Sequence, residues 1–145
     1  MHAQNLHRLV WILLATAWLA AQPVPAGAAD GDQYLGKWTG TYQGDNTSGH
    51  FELILERGSA GLITGTIAVS GDGGGAADYS AKLKSAAFAG DTFTAAYDPP
   101  GDDQTQINLK GTFNPKGGDG DWSVSAKAQP ASPPVATGTW KISKP

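Results

Sequence analysis

The sequence contains no cysteine and no cluster of basic residues, and each absence removes a class of chemistry. Without cysteine, the chain has no disulfides, no thiolate to hold a metal and no cysteine nucleophile. Ten lysines and arginines stand against 13 acids, which gives a net charge of −3. Because phosphate binding needs clustered Lys and Arg, we do not expect nucleic acid as a partner.

Uninterrupted apolar runs are also missing, apart from one near the N-terminus. Residues 9–21 (LVWILLATAWLAA) follow His7 and Arg8, and the small residues AGAA occupy 26–29. A basic start, a short apolar stretch and an A-x-A-like end are typical of a secretory signal peptide. The run is short for a transmembrane helix, which needs about 20 apolar residues. We therefore expect a signal peptide at 1–29 and a single domain at 30–145, in a periplasmic or secreted protein.

Helical periodicity is missing from the rest of the chain, where short alternating runs stand between turn residues. Connections this short favour an antiparallel up-and-down meander, and eight strands can close into a small barrel. The fold prediction is therefore all-β, an eight-stranded antiparallel barrel. The predicted strands lie at roughly 35–43, 50–57, 61–69, 78–88, 91–98, 104–113, 121–128 and 135–143.

The two faces of these strands differ in composition. One face collects large apolar residues and glycine, and the other collects Thr, Ser, Lys and Glu. An outer-membrane barrel would turn its apolar face to lipid, but its strands need about 9–11 residues and an aromatic girdle. We therefore expect a barrel with an apolar interior that is not embedded in a membrane. The polar outer face favours a monomer, because obligate interfaces are apolar.

One motif occurs four times: WTGTY at 38–42, ITGTI at 63–67, LKGTF at 109–113 and ATGTW at 136–140. In each copy the glycine falls on the apolar face, beside large residues. A glycine there lets a strand coil and leaves space for a bulky side chain from across the barrel. The flanking threonines favour the strand conformation and point outward. The repetition is thus explained by the construction of the barrel.

The first copy extends to GKWTGTY at 36–42. A G-x-W on the opening strand of such a barrel resembles the calycins, the lipocalin and avidin group. FELIL at 51–55, ITGTI and the closing GTWKI at 138–142 continue an avidin-like rhythm. The resemblance implies a barrel that holds a small molecule at its open end. Avidins carry an Asn where this chain has Thr39-Gly40-Thr41, so biotin binding is not carried over.

No catalytic residue, metal ligand or cofactor is predicted. His50 is the one histidine beyond the N-terminal segment, and no Ser-His-Asp arrangement can be built around it. The run 117–121 (GGDGD) invites a calcium interpretation but lacks the spacing of an EF-hand, so we assign its acids to a turn.

The aromatic residues of the apolar face leave two interpretations open. They can simply fill the core, or tyrosines near a strand end can put hydroxyls at a pocket mouth. For a small apolar or amphipathic ligand, the candidate contacts are Trp38, Tyr42, Tyr97, Trp122 and Trp140. The alternative is a protein-interaction module, a periplasmic inhibitor or assembly accessory, that acts through its loops. Those loops lie at 43–49, 70–77, 98–103 and 129–134.

Overall fold

The computed structural model describes residues 31–72 and 78–145. They contain two 3₁₀ turns, Asp32–Tyr34 before the first strand and Ser59–Gly61 between the second and third. The predicted signal peptide and part of the loop at 70–77 lie outside the described residues. The strands are β1 (Gly36–Gly44), β2 (Ser48–Arg57), β3 (Ile63–Gly71), β4 (Tyr79–Lys82), β5 (Ser85–Ala89), β6 (Thr92–Tyr97), β7 (Thr105–Asn114), β8 (Gly117–Ala126) and β9 (Ala136–Ser143).

These strands form one antiparallel sheet, in the order β4-β3-β2-β1-β9-β8-β7-β6-β5. Strands β1 and β9 pair in the middle of this order, with Tyr42 opposite Trp140. The sheet curls into a half-barrel with its apolar face inside. The predicted all-β antiparallel meander is confirmed, as a half-barrel of nine strands where the sequence predicted a closed barrel of eight.

The additional strand arises because the predicted strand at 78–88 changes partners along its length. Strand β4 pairs with β3, whereas β5 pairs with β6. At the change, the Leu83 amide donates to the Gly65 carbonyl on β3 (2.9 Å), and the Lys84 amide donates to the Ala96 carbonyl on β6 (2.7 Å). Lys84 and the next residue are both exposed, so the alternation shifts by one and Phe88 turns inward. If the alternation of Tyr79, Ala81 and Leu83 continued along one strand, Phe88 would point outward. The sequence pattern therefore does not predict the burial of Phe88.

The predicted turn around 117–121 is wrong, because β8 begins at Gly117. The turn is confined to the end of β7, where Asn114 Oδ1 accepts hydrogen bonds from the amides of Lys116 (2.9 Å) and Gly117 (3.0 Å). This side-chain acceptor closes a tight hairpin. Asp119 and Asp121 therefore lie within β8, exposed on its outer face.

The four motif glycines lie beneath large side chains, as predicted. A Cβ built on Gly111, for example, would lie 2.5 Å from Cζ2 of Trp140. The bulky neighbours come from nearby strands of the same wall, whereas the sequence suggested the opposite wall of a barrel. The crowding side chains are Phe51 and Ile142 at Gly40, Leu55 and Leu83 at Gly65, Trp140 at Gly111, and Trp122 at Gly138.

One end of the half-barrel is closed by the first 3₁₀ turn, and we call it the closed end. Tyr34 is 1% exposed, and its hydroxyl donates to Asp91 Oδ1 (2.5 Å). The Tyr34 carbonyl accepts a hydrogen bond from Nε1 of Trp38 (2.9 Å). The rings of Tyr34 and Phe88 stack with their centroids 5.0 Å apart. Phe113 adds an edge-on contact at 5.4 Å. Tyr34 precedes the first predicted strand, so strand alternation does not predict its burial.

Candidate ligand-binding site

The end of the half-barrel opposite Tyr34 carries the loops that the sequence singled out, and we call it the loop end. In an up-and-down meander, every second connection lies at the same end of the sheet. The connections after β1, β3, β6 and β8 therefore share the loop end, and they include all four loops that the sequence singled out. The described part of the closed end carries the connections after β2, β5 and β7, of which the last two are tight hairpin turns.

A cavity of about 350 Å³ lies inside the half-barrel, between residues of β1, β2, β3, β4, β6, β7, β8 and β9. Its volume falls within the usual range of small-molecule pockets, roughly 300–1,000 Å³. Most of its wall is apolar or aromatic. The lining residues are Tyr42, Thr47, Phe51, Ile67, Val69, Asp78, Tyr79, Tyr97, Ile107, Leu109, Trp122, Val124, Ala136 and Trp140.

Two tyrosine hydroxyls meet at this cavity. The oxygens of Tyr79, at the start of β4, and Tyr97, at the end of β6, are 2.9 Å apart. β4 and β6 are not paired in the sheet, so this hydrogen bond joins two separated strands. The hydroxyl of Tyr42 lies nearby in the wall and donates to the Ser70 carbonyl (3.4 Å). These hydroxyls are polar groups set in an otherwise apolar wall.

Burial raises the pKa of Tyr97 well above its ordinary value, and the hydrogen bond to Tyr79 raises it further. Burial is also the main cause of the raised pKa of Tyr79. Both phenols therefore stay protonated and neutral at physiological pH. The pair offers hydrogen-bond donors and acceptors without placing charge in the cavity.

The two indoles of the wall are held by backbone hydrogen bonds. Nε1 of Trp122 donates to the Gln43 carbonyl on β1 (3.2 Å), and Nε1 of Trp140 donates to the Asp121 carbonyl on β8 (2.9 Å). With their N–H groups engaged, the rings contribute apolar surface to the cavity. Trp122 remains half-exposed, whereas Trp140 is buried.

Among the described lining residues, Asp78 is the one that carries charge. It precedes β4, and its Oδ2 accepts a hydrogen bond from the Gly71 amide at the end of β3 (2.9 Å). Because the side chain is exposed, this carboxylate lies at the mouth of the cavity. Its charge also helps to raise the pKa of Tyr79, after the larger effects of burial and of Tyr42.

The structure separates the five sequence-predicted contacts into two groups. Tyr42, Tyr97, Trp122 and Trp140 line the cavity. Trp38 is fully buried at the closed end, with Nζ of Lys144 4.3 Å from its ring centroid, and does not line the cavity. Tyr79 and Asp78 were missed as contacts. The alternation of Tyr79, Ala81 and Leu83 on the apolar face was a usable signal for Tyr79.

The remaining features concern the one histidine beyond the N-terminal segment, metal ligands and membrane-spanning helices. His50 is exposed on β2, opposite Thr41 of β1. In residues 31–72 and 78–145, no group of three or more His, Cys, Asp or Glu residues could hold a metal ion. Within the same ranges, no helix has the length and apolar character needed to cross a membrane.

Comparison of the chain with protein-family models, curated proteins and solved structures finds no match. The calycin resemblance therefore stays a prediction. Roles for individual residues rest on the geometry of the cavity alone.

Proposed function

We propose that this chain binds one small apolar or amphipathic molecule in the cavity at the loop end. The observation that carries the proposal is a cavity of about 350 Å³ with aromatic walls and a hydrogen-bonded pair of tyrosine hydroxyls. Enclosure of apolar ligand surface contributes about 25 cal/mol for each Å² removed from water. Binding is favoured over catalysis because the described wall combines rings and hydroxyls with a single carboxylate, and no nucleophile lies beside a base.

The arrangement of the wall gives each group a role in this proposal. The rings of Tyr42, Trp122 and Trp140 pack against the apolar part of the ligand. The hydroxyls of Tyr79 and Tyr97 then satisfy one polar group, which fixes the orientation of the ligand. A few polar groups in an apolar pocket are the usual source of ligand specificity.

We test the proposal with N-phenylnaphthylamine, a neutral apolar probe whose fluorescence rises in apolar surroundings. Ala136→Phe would project a ring into the cavity from β9, because Ala136 is a lining residue. Thr137→Phe is the matched control, since Thr137 is the next residue on β9, is exposed and does not line the cavity. We expect Ala136→Phe to weaken probe binding at least about tenfold, which corresponds to about 1.4 kcal/mol.

Thr137→Phe should bind the probe like the unchanged protein, and both variants should keep the far-ultraviolet circular dichroism of a β-sheet. The proposal fails if the unchanged protein does not bind the probe or any other apolar molecule of this size. It also fails if the two phenylalanine variants bind equally well.

The periplasmic or secreted location and the loop-based alternative remain predictions from the sequence. Export is tested by sequencing the N-terminus of the protein recovered outside the cytoplasm, which should begin near Asp30. The loop-based alternative predicts that the purified protein retains one stoichiometric protein partner.

A further inference from the structure

Negative charge lies on one side of the mouth of the cavity, at the connections after β1 and β3. Asp78 lies in the lining itself. A polar groove formed by residues 43–48 and Asp72 adjoins the cavity, and Thr47 belongs to both. Asp45 and Asp72 lie in this groove, where Asp72 accepts a hydrogen bond from the Ser48 hydroxyl. Three carboxylates are therefore placed at or next to the opening.

Lysines at the loop end do not offset this charge inside the cavity. Lys84 and Lys127 both bind the Asp98 carboxylate, at 3.3 Å and 3.0 Å. Their hydrogen bonds, that of Lys127 above all, lower the pKa of Asp98, so this carboxylate stays ionised and paired with both lysines. None of these residues lines the cavity, and no described lining residue is Lys, Arg or His. An anionic ligand would therefore find no cationic partner in the described wall.

Besides the carboxylates, aromatic rings at the same opening favour a positively charged ligand. Tyr42, Tyr79 and Trp122 are half-buried, whereas Tyr97 and Trp140 are buried. The face of an aromatic ring carries partial negative charge and attracts ammonium groups within about 6 Å. The half-buried rings line the same cavity as Asp78 and keep part of their surface exposed to a ligand.

We propose that the molecule held in this cavity is an organic cation, an amine or quaternary ammonium compound with an apolar group. The apolar group occupies the cavity, and the cationic head lies at the mouth, between the Asp78 carboxylate and the neighbouring rings. This inference rests on the proposed function and specifies its ligand class.

The test compares three compounds that share one phenylbutyl group and differ only in a trimethylammonium, hydroxyl or carboxylate head. Affinities are measured by isothermal titration calorimetry at low ionic strength, where charge effects are least screened. We expect the ammonium compound to bind about tenfold tighter than the alcohol, and the carboxylate to bind more weakly than both.

Asp78→Asn removes the charge and keeps an oxygen that can accept the Gly71 hydrogen bond. We expect this variant to bind the ammonium compound about fivefold more weakly and to bind the alcohol unchanged. Asp119→Asn makes the same charge change on the outer face of β8, away from the cavity, and should alter neither affinity.

The possible results test this inference separately from the proposed function. Equal affinities for the three compounds would overturn the cation preference and leave the proposed function standing. Binding of the ammonium compound that is unchanged in Asp78→Asn would overturn the role of Asp78. If none of the three compounds binds, the inference fails, and the proposed function is then decided by the binding of N-phenylnaphthylamine.

Discussion

Replacing Gly111 by alanine should destabilise the protein strongly, because the Trp140 indole occupies the space that the new methyl group needs. The added Cβ would lie 2.5 Å from Trp140 Cζ2 and 2.7 Å from the Gly120 Cα. It would come closer still to the carbonyl oxygen of Asp119. Carbon atoms in contact normally lie about 3.5–4.0 Å apart, so the indole and β8 would both have to move by about 1 Å. Overpacking of this kind costs about 1–3 kcal/mol, and the backbone obstruction places Gly111→Ala near the upper value.

Gly71→Ala is the matched control for this change. A Cβ on Gly71 would meet its nearest neighbour, Asp78 Oδ2, at 3.5 Å, which is ordinary contact. The substitution should therefore stabilise the protein by about 0.4–1 kcal/mol, because alanine restricts the unfolded chain. Both free energies are measured by urea unfolding followed by circular dichroism. At about 4 °C for each kcal/mol, Gly111→Ala should lower the melting temperature by about 12 °C. Equal stability of the two variants would refute the close-approach explanation of the motif.

Two further predictions concern the core and its tyrosines. Phe113→Ala should lower the free energy of unfolding in urea by about 3–5 kcal/mol. The reason is that this ring packs against five other aromatic rings at centroid distances of 4.9–6.0 Å. A loss below about 1 kcal/mol would contradict that packing. The raised pKa of Tyr97 means that the folded state holds its phenol proton more tightly than the unfolded state, so this stabilising contribution is complete below about pH 10 and is lost as the pH rises further. Unfolding free energies measured between about pH 8 and pH 11 should therefore fall less steeply in Tyr97→Phe than in the unchanged protein, and equal slopes would contradict the prediction.

Period-2 alternation predicted most of the core correctly, because each strand turns one face inward over its whole length. It failed where the chain left regular pairing. Phe88 was missed because the change of partner at Leu83 and Lys84 shifts the alternation by one residue. That change depends on carbonyls of β3 and β6, which are distant in the sequence. Tyr34 was missed because it precedes the first strand and enters the core through a 3₁₀ turn.

The candidate ligand contacts also include some features that strand patterns could predict and others that they could not. Trp38 and Tyr42 share the inward face of β1 but are four residues apart, which is about 13 Å along a strand. They therefore lie at different ends of the half-barrel, Trp38 beside Tyr34 and Tyr42 beside the cavity. Strand direction alone could have separated them. The pairing of the Tyr79 and Tyr97 hydroxyls could not be predicted, since β4 and β6 are not neighbours in the sheet.

The sequence by itself determined the all-β class, the inward face of the strands and the inward position of each motif glycine. These properties are local, because alternation and the absence of a side chain act through the nearest residues and the adjacent strand. Only the tertiary structure decided that Tyr34 closes one end and that an aromatic cavity with Asp78 at its mouth opens at the other. Those features depend on how far the sheet curls and where its strands exchange partners. Long-range hydrogen bonds and packing set both.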